Sequence, residues 1–413
     1  MSRHELTVAP ALARQVKRPR DPRIDAFRGL ALLMIFFDHT PDNPYQYLTV
    51  RNIGFSDAAE AFFIMSGVAA GLAYSGRFLP EARKEKGLWH AVSPMWKRSW
   101  TLYLTQIFLT AMAIAIFAGG AVFFGLDTLL TQINLKQVFT NTEEALIGIP
   151  LLGHQLGYVN ILPAYSVLLF VGPLAIFLGV RRPWHLLAAS AALWFAAGIW
   201  RLNLPNYPNS GGWFFNPIAW QFIFVIGLLT GIFLHRGERL VPKSPWLFGL
   251  ALGWLAMVLA WRYLPVFGPF MNHQMSLLAK AGLPFNITSH DKTFLAVPRL
   301  THALALAYVL SCMGWVTRLT GTRALSFLRL LGRQGLLVFA TGTILSLIGH
   351  VVYGAAEEAR WVVWLYPLFG IFAMILAAWL GDIQKRGRRV AEAPPASSPR
   401  PAPATPPRAM AAE

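Results

Sequence analysis

At 413 residues, with 55% apolar and 13% charged side chains, the chain is far more apolar than a soluble domain, which carries about 25% charged residues, and it reads as an integral membrane protein. Its one cysteine, Cys312, excludes an intramolecular disulfide and any multi-cysteine metal site. The net charge of +17 raises nucleic acid as a partner, but the charges follow membrane topology, so no nucleic-acid role is expected.

Residues 1–20 hold no apolar run and read as a disordered tail. Apolar stretches then predict helices near 24–41, 57–76, 99–122, 159–180, 185–201, 217–235, 245–264, 299–317, 334–353 and 361–380. The expected fold class is all-α, a polytopic membrane bundle of about ten transmembrane helices over residues 21–381. With the N-terminus in the cytoplasm, all but eight of the 36 Lys and Arg fall inside. The exceptions are Arg51, Lys136, Arg201, Arg262, Lys280, Lys292, Arg299 and Arg360. Both termini are therefore expected to be cytoplasmic. Residues 382–413, basic and then rich in Pro and Ala, read as a second disordered tail.

Two outward segments, 123–158 and 265–298, are too long for turns, and loops of that length are commonly functional. The sequon Asn286-Ile-Thr288 lies in the second and reads as chance.

The first predicted helix carries the most telling pattern. At about 100° per residue, the eleven steps from Arg28 to His39 leave an offset of about 20°, so Asp25, Arg28 and His39 share one face. They span roughly 16 Å of rise from Arg28 to His39, which puts Arg28 near one interface. Ionisable groups in a membrane are costly and face a bundle interior or a wet cavity.

His39 is the leading candidate for a catalytic base, because imidazole titrates close to working pH; the alternative is a structural His bonded to a neighbouring helix. Asp38 points about 100° away and is not assumed to orient it. The second helix supplies Asp57 and Glu60 at i, i+3. Glu60, about one turn inside the membrane, needs a partner: either His39 or an acceptor hydroxyl in a functional reading, or an Arg that merely joins helices. Ser66, Gly67, Ala69, Ala70 and Gly71 favour close helix packing over an oxyanion hole. Gln221 and Gln334 read as interhelical hydrogen-bonding groups. His302, one turn after Arg299 on another helix entering from outside, is expected to reach His39 across the bundle. HExxH, Cys-rich ligand spacing, a Walker A loop and GxSxG are absent, so no metal site is expected.

The pattern Asp-x-x-Arg, then ten residues and His, followed by a Phe-Phe-Ile-x-Ser-Gly segment, resembles the integral-membrane acyltransferase-3 superfamily. More narrowly, DPRIDAFRGLALLMIFFDH, GFSDAAEAFFIMSG, FNPIAWQFIFVIG, DKTFLAVPRLTHALALAY and GRQGLLVFATGTILS are similar to the OpgC family over about residues 20–380. The resemblance implies a bacterial inner-membrane enzyme that succinylates a periplasmic glucan, with acyl-CoA, succinyl-CoA by analogy, as co-substrate. It implies a catalytic role for His39 and an assisting one for Arg28; Asp25, on the same face, and Glu60 are the further catalytic candidates. The superfamily's G-x-D-x-FF is here Ser-Asp-Ala-Ala-Glu-Ala-Phe-Phe, so the acidic residues transfer least directly.

A cytosolic thioester and an external sugar require a path through the membrane with a base in it. Coenzyme A phosphates need cations at the inner mouth, for which Arg28, Arg77, Lys97, Arg98 and Arg333 are available, although topology alone also places cations there. Asp57, Arg299 and His302 are candidates for substrate contact. Tyr45, Tyr47, Tyr158, Tyr207, Trp213, Phe214 and Phe215 are candidates for stacking on sugar rings, or are interfacial aromatics. The rival readings are an O-acetyltransferase for another external glycan and a transporter of glycan or organic acid without chemistry.

Overall fold

A computed structural model describes residues 21–356 and 359–391. Helix dominates, and among the described residues β pairing amounts to one isolated bridge, Pro205 to Gly212. In chain order the helices are α1 (Pro22–His39), α2 (Ala58–Tyr74), α3 (Pro80–Phe124), the short α4 (Lys136–Thr140) and α5 (Thr142–Gly148), α6 (Ile161–Arg181), α7 (Pro183–Trp200), α8 (Pro217–Arg236) and α9 (Pro245–Tyr263). They continue with α10 (Phe267–Lys280), α11 (Phe285–Thr288), α12 (Val297–Cys312), α13 (Gly314–Gly321), α14 (Ser326–Arg333), α15 (Gly335–Ala355) and α16 (Val362–Ala391).

Local chemistry sets many of the boundaries. Asp21, Asn216 and Ser244 cap α1, α8 and α9 with side-chain oxygens, each followed by a proline that needs no helical N–H partner. Gly237 and Gly125 end α8 and α3 in the left-handed conformation, at φ 85° and 69°.

Helices occupy all the positions expected from the apolar stretches, but among the described residues seven are long and apolar enough to cross a membrane, or eight if α12 and α13, bent by 78°, form one broken span. The others are α1 and α7. In α1 the charges Arg23, Asp25, Arg28 and Asp38 dilute the apolar run, and α7 opens with the more polar Pro183-Trp184-His185. The connection before the third expected span is itself helical: α3 starts at Pro80 and breaks at Gly87, where φ is 78°. At the other end α16 runs on to Ala391, ten residues into the segment expected to be disordered. The remainder of that tail, and residues 1–20, lie outside the described residues.

Two helix contacts hold the candidate site in place. Where α2 crosses α8, a Cβ on Gly67 would sit 2.2 Å from the Phe224 carbonyl oxygen and one on Gly231 2.2 Å from that of Val68, so the backbones touch and no side chain fits. The small residues of α2 do serve packing. Similarly α14 lies against the start of α1: a Cβ on Gly29 would meet the Leu328 carbonyl oxygen at 2.0 Å, and one on Gly332 the Asp25 carbonyl oxygen at 1.9 Å. Trp220, Phe63 and Phe224 fill the space beside the α2–α8 crossing. Gln221 bonds Ser190 between α8 and α7, and Gln334 accepts from Lys385 of α16, both interhelical as expected. Asn286, the sequon residue, is fully buried, so the folded chain does not present it for modification.

Candidate active site

Asp57 and Glu60 first act as a helix start. Asp57 accepts from the Ala59 amide at 2.8 Å, while the Glu60 carboxylate turns back to accept from the Asp57 amide at 2.8 Å, a capping box that begins α2. Both carboxylates are then taken up by cations of the segment before α12 and of its first turn. Arg299 donates to Glu60 at 2.8 Å and to Asp57 at 3.1 Å, and the Lys292 ammonium lies 2.5 Å from Asp57. Glu60 is 0% exposed. Its partner is therefore Arg299 and not His39, and the four charges tie the 290–299 segment to α2. As contacts for a substrate, Asp57 and Arg299 are already engaged.

His39 ends α1 and is half-buried. Its ring lies 4.7 Å from that of Tyr158, centroid to centroid, and the Tyr158 ring lies 5.2 Å from that of His350 on α15. His350 donates from Nε2 to the His39 carbonyl oxygen at 3.2 Å. The nitrogen Nδ1 of His39 is buried and has no hydrogen-bond partner. Burial raises the pKa of the Tyr158 phenol, which keeps it neutral beside the imidazole. Asp38 faces elsewhere and accepts from the Thr49 hydroxyl at 2.8 Å, so it does not orient His39.

His302 does not reach His39. It is 2% exposed, and its Nδ1 accepts from the Ser56 amide at 3.3 Å and lies 2.7 Å from the Ser56 hydroxyl. The histidine that meets His39 is His350. Sequence reasoning passed over it, although it stands near the C-terminal end of the ninth apolar stretch, as His39 does in the first.

Eleven residues before His39 on α1, Arg28 donates to the Met65 carbonyl oxygen at 3.2 Å. It joins Arg98 and Arg333 around a pocket of about 190 Å³. The α2 lining of this pocket runs from Phe62 to Tyr74, roughly 18 Å of helix rise, with Tyr165 and Phe339 on the facing wall. Arg77 and Lys97 are not in its wall; Arg77 bonds the His90 carbonyl. Asp25, 4% exposed, sits where α1 touches α14. On the shared face of α1, Asp25 thus packs on α14, Arg28 lines the pocket, and His39 meets α15.

Of the aromatics considered for sugar stacking, Trp213 is buried with Nε1 donating to the Pro205 carbonyl oxygen at 3.2 Å, and Phe215 is buried against Phe63 and Trp220. Neither offers a face to a sugar. Tyr45 stacks on Phe37 at 5.5 Å, while Tyr47, Tyr207 and Phe214 are exposed.

Comparison with known proteins gives one finding. No curated protein and no solved structure matches the chain. The family model described as OpgC protein matches residues 20–386, which takes in α1 with His39 and Arg28, the four-charge network, His350 and the arginine-lined pocket. That family carries an acyltransferase-type role in glucan modification. With nearly the whole described bundle inside the match, the chain belongs to the OpgC family.

Proposed function

We propose that the protein is a multi-pass inner-membrane O-acyltransferase that moves a succinyl group from cytosolic succinyl-CoA to a hydroxyl of a periplasmic glucan. The bundle then has ten spans, α1 and α7 included, with both termini cytoplasmic.

One observation carries this reading. A pocket lined by Arg28, Arg98 and Arg333 follows α2 for most of its length, and His39, with a buried and unpartnered ring nitrogen, ends the helix that carries Arg28. Guanidinium groups bind phosphate through paired N–H donors, so the three arginines suit the phosphates of coenzyme A. The acyl-bearing arm follows the α2 wall toward His39. There the imidazole takes the proton of the sugar hydroxyl as its oxygen attacks the thioester carbonyl; the new ester C–O bond forms, the C–S bond breaks, and the thiolate of coenzyme A leaves. A two-step route uses the same residue: His39 nitrogen attacks the thioester carbonyl and the coenzyme A thiolate leaves, then the sugar hydroxyl oxygen attacks the acyl-imidazole, the C–N bond breaks, and the hydroxyl proton goes to the released imidazole. The charged network is then structural: it fixes the outer end of α2 beside His39.

The test is incorporation of radiolabel from succinyl-CoA or acetyl-CoA into periplasmic glucan, using membranes with the wild-type chain, with His39→Gln, or with neither. Succinyl incorporation that depends on His39 is the expected result. Preference for acetyl would replace the donor; label that crosses the membrane without becoming covalent would make the protein a transporter.

A further inference from the structure

A second, larger opening lies on the other side of α1 and α2. It is a groove of about 640 Å³ between that pair and the α9–α12 pair, and it shares no lining residue with the arginine pocket. Its walls are apolar, formed by Phe27 and Met34 of α1, Ile64 of α2, Leu250 of α9 and Leu304 and Ala307 of α12. From Thr301 to Ser311 the α12 wall covers roughly 15 Å of rise, the depth of one leaflet of a hydrocarbon core about 30 Å thick.

The end at the start of α1 is basic. Arg23 there is held by Asp21, its Nη2 2.6 Å from the carboxylate. Arg239 lines the same end, and its Nη2 donates to the Ser311 hydroxyl at 2.9 Å. Among the described residues it has no carboxylate partner. A third feature lies deeper: Trp254 lines the groove with its indole N–H buried and without an acceptor.

An apolar slot at bilayer depth takes hydrocarbon, and a guanidinium at its mouth without an acid takes phosphate. We propose that the groove binds one anionic phospholipid, with its acyl chains between α1 and α12 and its phosphate on Arg239. The lipid fills the gap behind the two helices that carry Arg28, His39 and Glu60, and so holds the α1–α2 pair from the face opposite the candidate site.

The experiment reads bound lipid and not turnover, so it stands or falls apart from acyl transfer. Full-length protein is extracted from vesicles of equal phosphatidylglycerol and phosphatidylethanolamine, exchanged into mild detergent, and weighed by native mass spectrometry. The expected result is retained phosphatidylglycerol, reduced at least about fivefold by Arg239→Glu and by the groove-filling Ala307→Trp, and kept by Arg239→Lys. Monodispersity on gel filtration selects the folded variants, and Arg239→Gln stands in if Arg239→Glu fails to fold. Equal retention of both lipids, retention unchanged in the variants, or occupancy by a fatty acid without phosphate overturns the proposal.

Discussion

The His39 carbonyl oxygen accepts a hydrogen bond from His350 Nε2 at 3.2 Å, and the Tyr158 ring stands beside both imidazoles. The contact fixes the backbone at the C-terminal end of α1, just where the helix has run out of its own donors for its last carbonyls. It also sets the tautomer of His350, which must carry its proton on Nε2. His350 and Tyr158 thus position His39 without occupying its free nitrogen.

His39→Gln is expected to insert and fold normally but to lose acyl transfer by at least about a hundredfold, the usual worth of a general base. His350→Phe keeps a ring beside Tyr158 and removes only the hydrogen bond, so it should lose about tenfold or less. Succinate incorporated per folded protein measures both. Near-normal turnover by His39→Gln would remove His39 from the chemistry altogether.

Arg98→Ala and Arg333→Ala should raise the KM for acyl-CoA by about tenfold each with kcat little changed, since a lost charge-assisted hydrogen bond is worth about 1.5–3 kcal/mol. Initial rates over a range of acyl-CoA concentrations separate the two constants. A fall in kcat at constant KM would move the coenzyme A phosphates away from this pocket.

Arg299→Ala leaves the fully buried Glu60 carboxylate without its cation, and breaking such a pair costs about 3–5 kcal/mol. The variant should melt well below the wild type in detergent, and Arg299→Met combined with Glu60→Leu should recover part of the loss. A wild-type melting curve for Arg299→Ala together with a raised glucan KM would make Arg299 a substrate contact.

Gly67→Leu should abolish accumulation of folded protein, because its Cβ would lie 2.2 Å from the Phe224 carbonyl oxygen and force α2 off α8. Gly249→Ala and Gly253→Ala, with open space around their Cβ positions, should be tolerated. Membrane fractionation with gel filtration compares them.

Topology reporters fused after Arg83 and Arg236 should report the cytoplasm, and those after Lys136, Asn209 and Lys280 the opposite side. This follows from the distribution of Lys and Arg between the loops. Inversion at any one of these sites would change the number of spans.

Much of the site was legible before folding because α1 is one continuous helix. Its period alone puts Asp25, Arg28 and His39 on one face, and the small residues of α2 announced a close crossing. The Asp57-x-x-Glu60 spacing, taken from the sequence as a pair of carboxylates, forms a capping box, a local pattern that sequence reasoning passed over.

Helix positions, the shared face of α1 and the apolar character of the bundle were determined by the sequence itself, since periodicity and hydropathy act within one segment. Partner choice was not. That Glu60 pairs with Arg299, that His302 stops at Ser56 while His350 reaches His39, and that Trp213 is buried depend on which segments meet, hundreds of residues apart in some cases. A buried charge requires a partner, but only the tertiary structure decides which of several cations on neighbouring helices comes within hydrogen-bonding distance.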